Sequence, residues 1–321
     1  MKKMLKSLVI SESVTCEPFL LKEIKGHIVD KDTLSFVLAD ASGDMPAEVS
    51  TAVISEAALS QLNNTVVAAT GIVLARGRVP YLKVTELSVA EKFVSAEVLP
   101  GLPKAKVEEC ISDIHTLMGM IQNPHYAALV RAALTEENLR KLATLPATLN
   151  YYGRYNGGAL AATNAVARMV TSSMASYTKR GNGMTTKDPS WSCLISASLL
   201  FTFGRMKYYT STAPYKKSSA GAALGYFPCL QSCIEDVIRA NNIPITQDEI
   251  SLLLNVLNVS VSDKTEAKAV SKDGTILRHI IGLYAECDAY DWEIATADDT
   301  EDSIHYSGKL KRYVVKPDFV E

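Results

Sequence analysis

The chain has 321 residues, 47% of them hydrophobic and 21% charged, with a net charge of −2 and a pI near 6.3. This composition excludes global disorder, and no apolar run approaches the roughly 18–20 residues of a bilayer-crossing helix. The length predicts about two domains, each able to bury its own core.

The start is basic (Lys2, Lys3, Lys6), but its apolar stretch stops at Ile10 with no small-residue cleavage site, so a soluble, cytoplasmic chain is expected. Residues 20–29 and 33–39 read as strands, separated from a third near 47–50 by the turn Asp40-Ala-Ser-Gly43-Asp44. A short helical stretch follows around 54–62, then strands at 65–74 and 80–89. In the last strand Tyr81, Lys83 and Thr85 alternate with Leu82 and Val84. Arg76-Gly77-Arg78 forms a basic hairpin tip between them. Five short strands with a small helix between the third and fourth describe an OB-type β-barrel over residues 1–97.

Val98-Leu-Pro-Gly-Leu-Pro103 breaks both periodicities, and the period then becomes about 3.6, with Val107, Ile111, Ile114 and Ile121 on one face. Asn123-Pro124 opens a second helix, and Thr135 with Glu136 and Glu137 caps a third. Residues 98–144 thus form a helical linker. Further helical patterns at 158–178, 190–209, 219–241, 246–258 and 274–290 make 145–321 an all-helical domain ending in an acidic tail segment. The polar stretch from Tyr177 to Pro189 reads as a basic loop.

Charge is unevenly placed. Residues 151–220 hold nine bases against Asp188 alone, a net of +8, whereas residues 221–321 hold nine against 17 acids, a net of −8. Tyrosines and other rings crowd the basic block. Cations for phosphates beside rings that stack on bases suit single-stranded nucleic acid. Mutual neutralisation of the two segments, within one fold or between protomers, is the competing expectation.

Little in the chain promises other chemistry. The six cysteines read as reduced thiols. Cys229 and Cys233, at i and i+4, have no second ligand pair for zinc. No two of the five histidines lie within nine residues of each other. No phosphate-cradling Gly-Lys-Ser/Thr loop or Gly-x-Ser-x-Gly elbow occurs. Asp298-Asp-Thr-Glu301-Asp302 reads as a solvated acidic loop. No cofactor and no metal are expected.

The segment Leu145-Pro-Ala-Thr-Leu-Asn-Tyr-Tyr152-Gly153-Arg154-Tyr-Asn-Gly157-Gly158-Ala-Leu-Ala-Ala162-Thr163 resembles the start of the HD domain in YhaM-type 3′–5′ exoribonucleases, which reads P-A-x-x-x-x-H-H-x-Y-x-G-G-L-L-x-H-T. Leu199-Leu-Phe201-Thr202-Phe203-Gly204-Arg205 stands where that family has L-L-H-D-I-G-K, and Leu224-Gly-Tyr226 where it has L-G-H. The domain order, OB barrel then helical linker then HD domain, is also similar, over roughly residues 16–290. The resemblance implies metal-dependent phosphodiester hydrolysis. Carried over position by position, its metal ligands fall on Tyr152, Gly153, Ala162, Phe201, Thr202 and Tyr226, with Asn255 and Glu286 or Asp288 downstream. Ala and Phe offer a metal no lone pair, and Thr replaces a carboxylate poorly.

The fold class expected is therefore multidomain α+β: an N-terminal five-stranded OB-type barrel followed by a degenerate, all-α HD-like domain. The leading functional expectation is a catalytically inactive protein that binds single-stranded DNA or RNA. Its contacts would be Arg76, Arg78 and Lys83 on the barrel, with Arg154, Lys179, Arg180, Arg205 and Lys207 on the helical domain. Arg205 would equally serve to cap a helix C-terminus or pair with an acid. A protein–protein scaffold or homo-oligomer without nucleic-acid affinity is the second reading, and a divergent metal-dependent exonuclease the third. A diverged nuclease copy is typical of a phage or mobile element.

Overall fold

The structure, a computed structural model, describes residues 4–27, 32–63, 65–77, 79–93, 95–98, 101–178, 190–210, 215–261, 268–296, 304–307 and 312–315. They divide into two compact units, the first chiefly Met1–Gly101 and the second Leu102–Ser211, Lys217–Ala295 and Ile304–Glu321.

The first unit is a mixed sheet of β1 (Ser13–His27), β2 (Thr33–Asp40), β3 (Gly43–Ser50), β4 (Thr65–Arg76) and β5 (Val79–Val89), with helix α1 (Glu56–Gln61) before β4 and α2 (Ser95–Val98) after β5. Its order is β1-β2-β3-β5-β4, and β4 returns to pair with β1, which closes the sheet. Strand β1 can serve both neighbours because it is long and bent. Ser13–Leu21 pairs with β4 and Leu20–His27 with β2, with register shifts between Val14/Glu17, Leu21/Glu23 and Ile24/Gly26. It therefore begins well before residue 20. Strand β3 likewise starts earlier than the sequence suggests, at Gly43, because Asp40 and Gly43 pair directly across a two-residue turn. Where β4 crosses β5, a side chain on Gly71 would put its Cβ 2.3 Å from the Lys83 carbonyl oxygen, so only glycine fits.

The alternation in these strands points Phe19, Leu21, Leu34, Phe36, Leu38, Leu82 and Val84 into one core. Ser55 caps α1 by accepting the Ala58 N–H, which sends Leu59 into that core. A single 3-10 turn, Leu5–Ser7, adds Leu5, anchored through its N–H to buried Asp40 Oδ2 at 2.7 Å. The other oxygen of Asp40 accepts the Ser42 N–H and hydroxyl.

The second unit runs α3 (Lys104–Met118), α4 (Pro124–Ala133), α5 (Glu136–Leu142), α6 (Gly158–Thr178), α7 (Trp191–Leu200), α8 (Arg205–Tyr208), α9 (Ser219–Leu224), α10 (Tyr226–Ala240), α11 (Gln247–Val261) and α12 (Lys272–Thr296), then β6 (Ile304–Ser307) and β7 (Arg312–Val315). Helix α7 is its axis. Every residue from Cys193 to Leu200 is buried, and α3, α4, α6 and α11 pack around it. A helix apolar on all sides can only be central. Its two buried hydroxyls, Ser196 and Ser198, donate to the carbonyls of Ser192 and Ile195, so neither is left unpaired.

Three sequence expectations are corrected here. The unit is not all-helical, since β6 and β7 form an antiparallel hairpin in the tail segment. The helical pattern at 190–209 is two helices, because the turn Phe201–Gly204 lies so close to α10 that a Gly204 Cβ would sit 2.6 Å from Leu230 Cα. The pattern at 219–241 is also two, broken at Gly225 with φ +84.

The start of α4 is tied to the start of α11. Asn123 Oδ1 caps α4 by accepting the His125 and Tyr126 N–H groups, and its Nδ2 donates to Glu249 Oε1 at 2.7 Å. Glu249 Oε2 meets His125 Nδ1 at 2.8 Å and accepts the Thr246 N–H and hydroxyl. The Thr246 backbone N–H, then Asn123 and His125, hold the Glu249 carboxyl down to about 2. A carboxylate whose pKa is lowered by folding stabilises the native state above its unfolded pKa, near 4.3, and that stabilisation fades as pH falls toward the folded value. Glu249→Gln should therefore lower the denaturation midpoint at neutral pH. Its deficit relative to wild type should shrink between about pH 4.5 and pH 2; urea titrations across that range check this.

Candidate functional site

The segment between α5 and α6 folds back on itself through one side chain. Thr148 Oγ1 accepts the N–H groups of Tyr151 and Tyr152 and donates to the Tyr152 carbonyl, while Ala147 N–H bonds the Gly153 carbonyl at 2.9 Å. The return requires glycine. Gly153 has φ +56 and Gly157 φ +86, and a Cβ on Gly158 would lie 2.1 Å from the Gly153 carbonyl oxygen. This loop presents Tyr151, which is exposed, and Tyr152, which is buried.

Across from it, the turn after α7 delivers Arg205. Its guanidinium stacks over the Tyr226 ring at 3.8 Å and lies 5.5 and 5.6 Å from the rings of Tyr208 and Tyr209. Tyr226 Oη donates to the Phe201 carbonyl, which fixes that ring to the turn. Arg205 Nη1 makes only a long contact to Tyr209 Oη, at 3.5 Å, and Nε is buried with no partner. Among the described residues no carboxylate pairs with it. Burial pushes the Tyr209 phenol up to about 12 and the Tyr226 phenol higher, so both are neutral hydrogen-bond donors near pH 7.

These groups line a cleft of about 570 Å³, together with Thr148, Asn150, Ser260, Lys217 and Arg278. Three cations and five tyrosines face it, and among the described residues no aspartate or glutamate does. Lys217 and Arg278 are exposed, and Lys217 also reaches the Tyr208 ring at 5.9 Å. Lys217 belongs to the basic block visible in the sequence. Arg278 comes from a segment with net charge −8, and nothing local marks it.

Some of the positions that the resemblance aligns with metal ligands are tied into local contacts, whereas Asn255 bonds Lys268 and Val270 and Glu286 meets Arg312. Tyr226 bonds the Phe201 carbonyl, Thr202 Oγ1 bonds Thr163 Oγ1, and Asp288 Oδ2 accepts the Gly153 N–H at 2.8 Å. Ala162, Phe201 and Thr202 are all buried. Their side chains do not fit a divalent ion: one has no donor atom, one is a ring, and one hydroxyl is already engaged. Among the described residues no three His, Cys, Asp or Glu side chains form a group able to hold a metal.

The remaining candidate bases are scattered. Lys207 is engaged by Ser232 Oγ at 2.6 Å and Asp236 at 3.5 Å. Arg154 faces Asp288, whose carboxyl burial raises and Arg154 lowers. On the barrel, Arg76 pairs with Glu48 at 2.9 Å over the Tyr81 ring, and exposed Lys83 stands opposite the same Glu48 in register. Internal neutralisation thus accounts for Lys207 and Arg76, and not for Arg205. Arg78, Lys179, Arg180, most of the expected basic loop and the acidic run 298–302 lie outside the described residues.

No protein-family model matches the chain, and no curated protein matches it. Among solved structures, asparaginyl-tRNA synthetase from Pyrococcus horikoshii complexed with asparaginyl-adenylate is similar, with 17% identity and a TM-score of 0.22. The match covers 47% of this chain and 38% of that one, well under half the length of the synthetase.

Because the cleft wall depends on the Gly153–Gly158 approach, Gly158→Ala should cost about 3 kcal/mol through overpacking against backbone. Gly225→Ala, where no atom lies within 4 Å, should cost less, from its positive φ alone. Chemical denaturation of both variants checks the order.

Proposed function

We propose that this chain binds single-stranded nucleic acid without hydrolysing it, through an OB-type barrel and a degenerate HD-like helical domain. The observation that carries this reading is a cleft that no acid among the described residues lines, where a guanidinium with no described carboxylate partner sits among tyrosine rings. Fixed cations attract phosphate, and rings offer faces for bases in any sequence. The barrel contributes Arg76 and Lys83, and the Arg76–Glu48 pair keeps its own attraction for phosphate weak.

The loss of hydrolysis follows from the residues that have replaced the metal ligands. Phe201, Ala162 and Tyr226 fill the centre of the former site with volume, so packing takes over the role that metal–ligand bonds would have in holding the helices. The glycines and the Pro-Ala segment that shape the loop remain, which preserves the cleft while its chemistry is gone.

Fluorescence anisotropy of labelled single strands of about 20 nucleotides, DNA and RNA, tests the reading. Log affinity should fall linearly with log salt, with a slope of about −0.7 per phosphate neutralised. The strands should stay intact in manganese with or without chelator. Absence of binding at low salt would overturn nucleic-acid contact and favour a protein-docking role. Cleavage that stops with chelator would overturn the loss of hydrolysis.

A further inference from the structure

We infer that the Arg205 cleft is a site for a phosphate monoester, that is, the phosphate of a mononucleotide or of a phosphorylated strand end. The inference deepens the nucleic-acid reading by naming the group the cleft takes, and it rests on that reading only for the strand as one source of the group.

The geometry around Arg205 leaves one kind of partner missing. Guanidinium is permanently charged and presents its N–H groups in the plane of the fork. Tyr226, stacked at 3.8 Å, occupies a face of that plane and cannot accept the in-plane protons. Nε is buried and unbonded, and Nη1 has only the 3.5 Å contact. A buried donor left unpaired is costly. An oxyanion in the plane of the fork would satisfy it and neutralise the charge at once.

The charge count selects the anion. Lys217 and Arg278 face the same cleft, and among the described residues no acid lines it. Three cations against one internal phosphodiester or one carboxylate would leave two charges unanswered. A phosphate monoester carries about −1.5 to −2 at pH 7 and has three acceptor oxygens. Those oxygens match the half-buried guanidinium and two rim cations. The volume, about 570 Å³, falls in the range of small-molecule sites and leaves room for a nucleoside beyond the phosphate. Tyr151, 45% exposed on the cleft wall, offers that base a ring to stack on.

Calorimetric titration of the full chain with inorganic phosphate, a nucleoside 5′-monophosphate and the unphosphorylated nucleoside tests the site. The monophosphate should bind with one-to-one stoichiometry and at least tenfold tighter than the nucleoside, and Arg205→Gln should weaken it at least tenfold. Arg278→Gln lies on an exposed face of α12, so it gives the same reading through several-fold weakening if Arg205→Gln fails to fold. Equal binding of nucleoside and monophosphate, or binding indifferent to Arg278→Gln and Arg205→Gln, would overturn the proposal.

Competition separates the two sources. If the strand end is bound, labelled oligomers carrying a terminal phosphate should bind at least tenfold tighter than hydroxyl-ended ones, and the monophosphate should displace them. If only the free monophosphate binds, the cleft stands as a nucleotide site and strand binding falls. If strands bind alike whatever their ends and the monophosphate does not compete, strand binding stands and the cleft proposal falls.

Discussion

In the turn after α7 the chain places a permanent positive charge against a tyrosine ring, 3.8 Å from guanidinium carbon to ring centre, with no carboxylate among the described residues to answer it. Moving a charge out of water costs several kcal/mol unless something compensates, and a stacked ring returns about 2 kcal/mol when desolvated. The surroundings of Arg205 can be understood as consequences of that constraint. Tyr208 and Tyr209 add further rings, and Tyr226 is pinned by its hydrogen bond to the Phe201 carbonyl. The open side faces a cleft instead of a partner helix. A side chain held this way is poised toward an anion from outside the chain.

Support for Arg205 comes from a short list of close approaches. Gly204 lets the turn press against α10, and the Gly153–Gly158 contact folds the opposite loop tightly enough to bring Tyr152 inward. Thr148 makes three hydrogen bonds within four residues of itself and so fixes that loop locally. Behind both, α7 is apolar on every side, so its C-terminal turn cannot shift without disturbing the helices packed around it.

The β unit answers a different constraint. Closing a five-stranded sheet requires its first and last strands, β1 and β4, to pair with each other, and β1 reaches both β4 and β2 through its length and its register shifts. On this unit Arg76 is paired with Glu48 and Lys22 with Asp44, so its surface carries less unanswered positive charge than the sequence count alone implies. The contrast with the helical cleft is one of pairing: these bases have acids, whereas among the described residues Arg205 has none.

Much of this was legible in the chain. Alternation in 80–89 fixed which face of β5 is buried, because a period of two admits only two choices and Leu82 with Val84 settles between them. The caps Asn123 and Thr135 marked helix starts through chemistry confined to three residues. The framework of Pro146, Ala147 and the paired glycines marked the loop that shapes the cleft. Long-range facts were not legible. A helical pattern runs on through Phe201–Gly204, and only the contact with Leu230 shows that it must break. Nothing near Arg278 in sequence announces that it faces Arg205, and nothing near Lys207 that Asp236 would neutralise it. Local sequence determines backbone preference and which face is apolar, since both depend on neighbours along the chain. Whether a given charge is answered or left open depends on residues tens of positions away, and only the tertiary structure decides that.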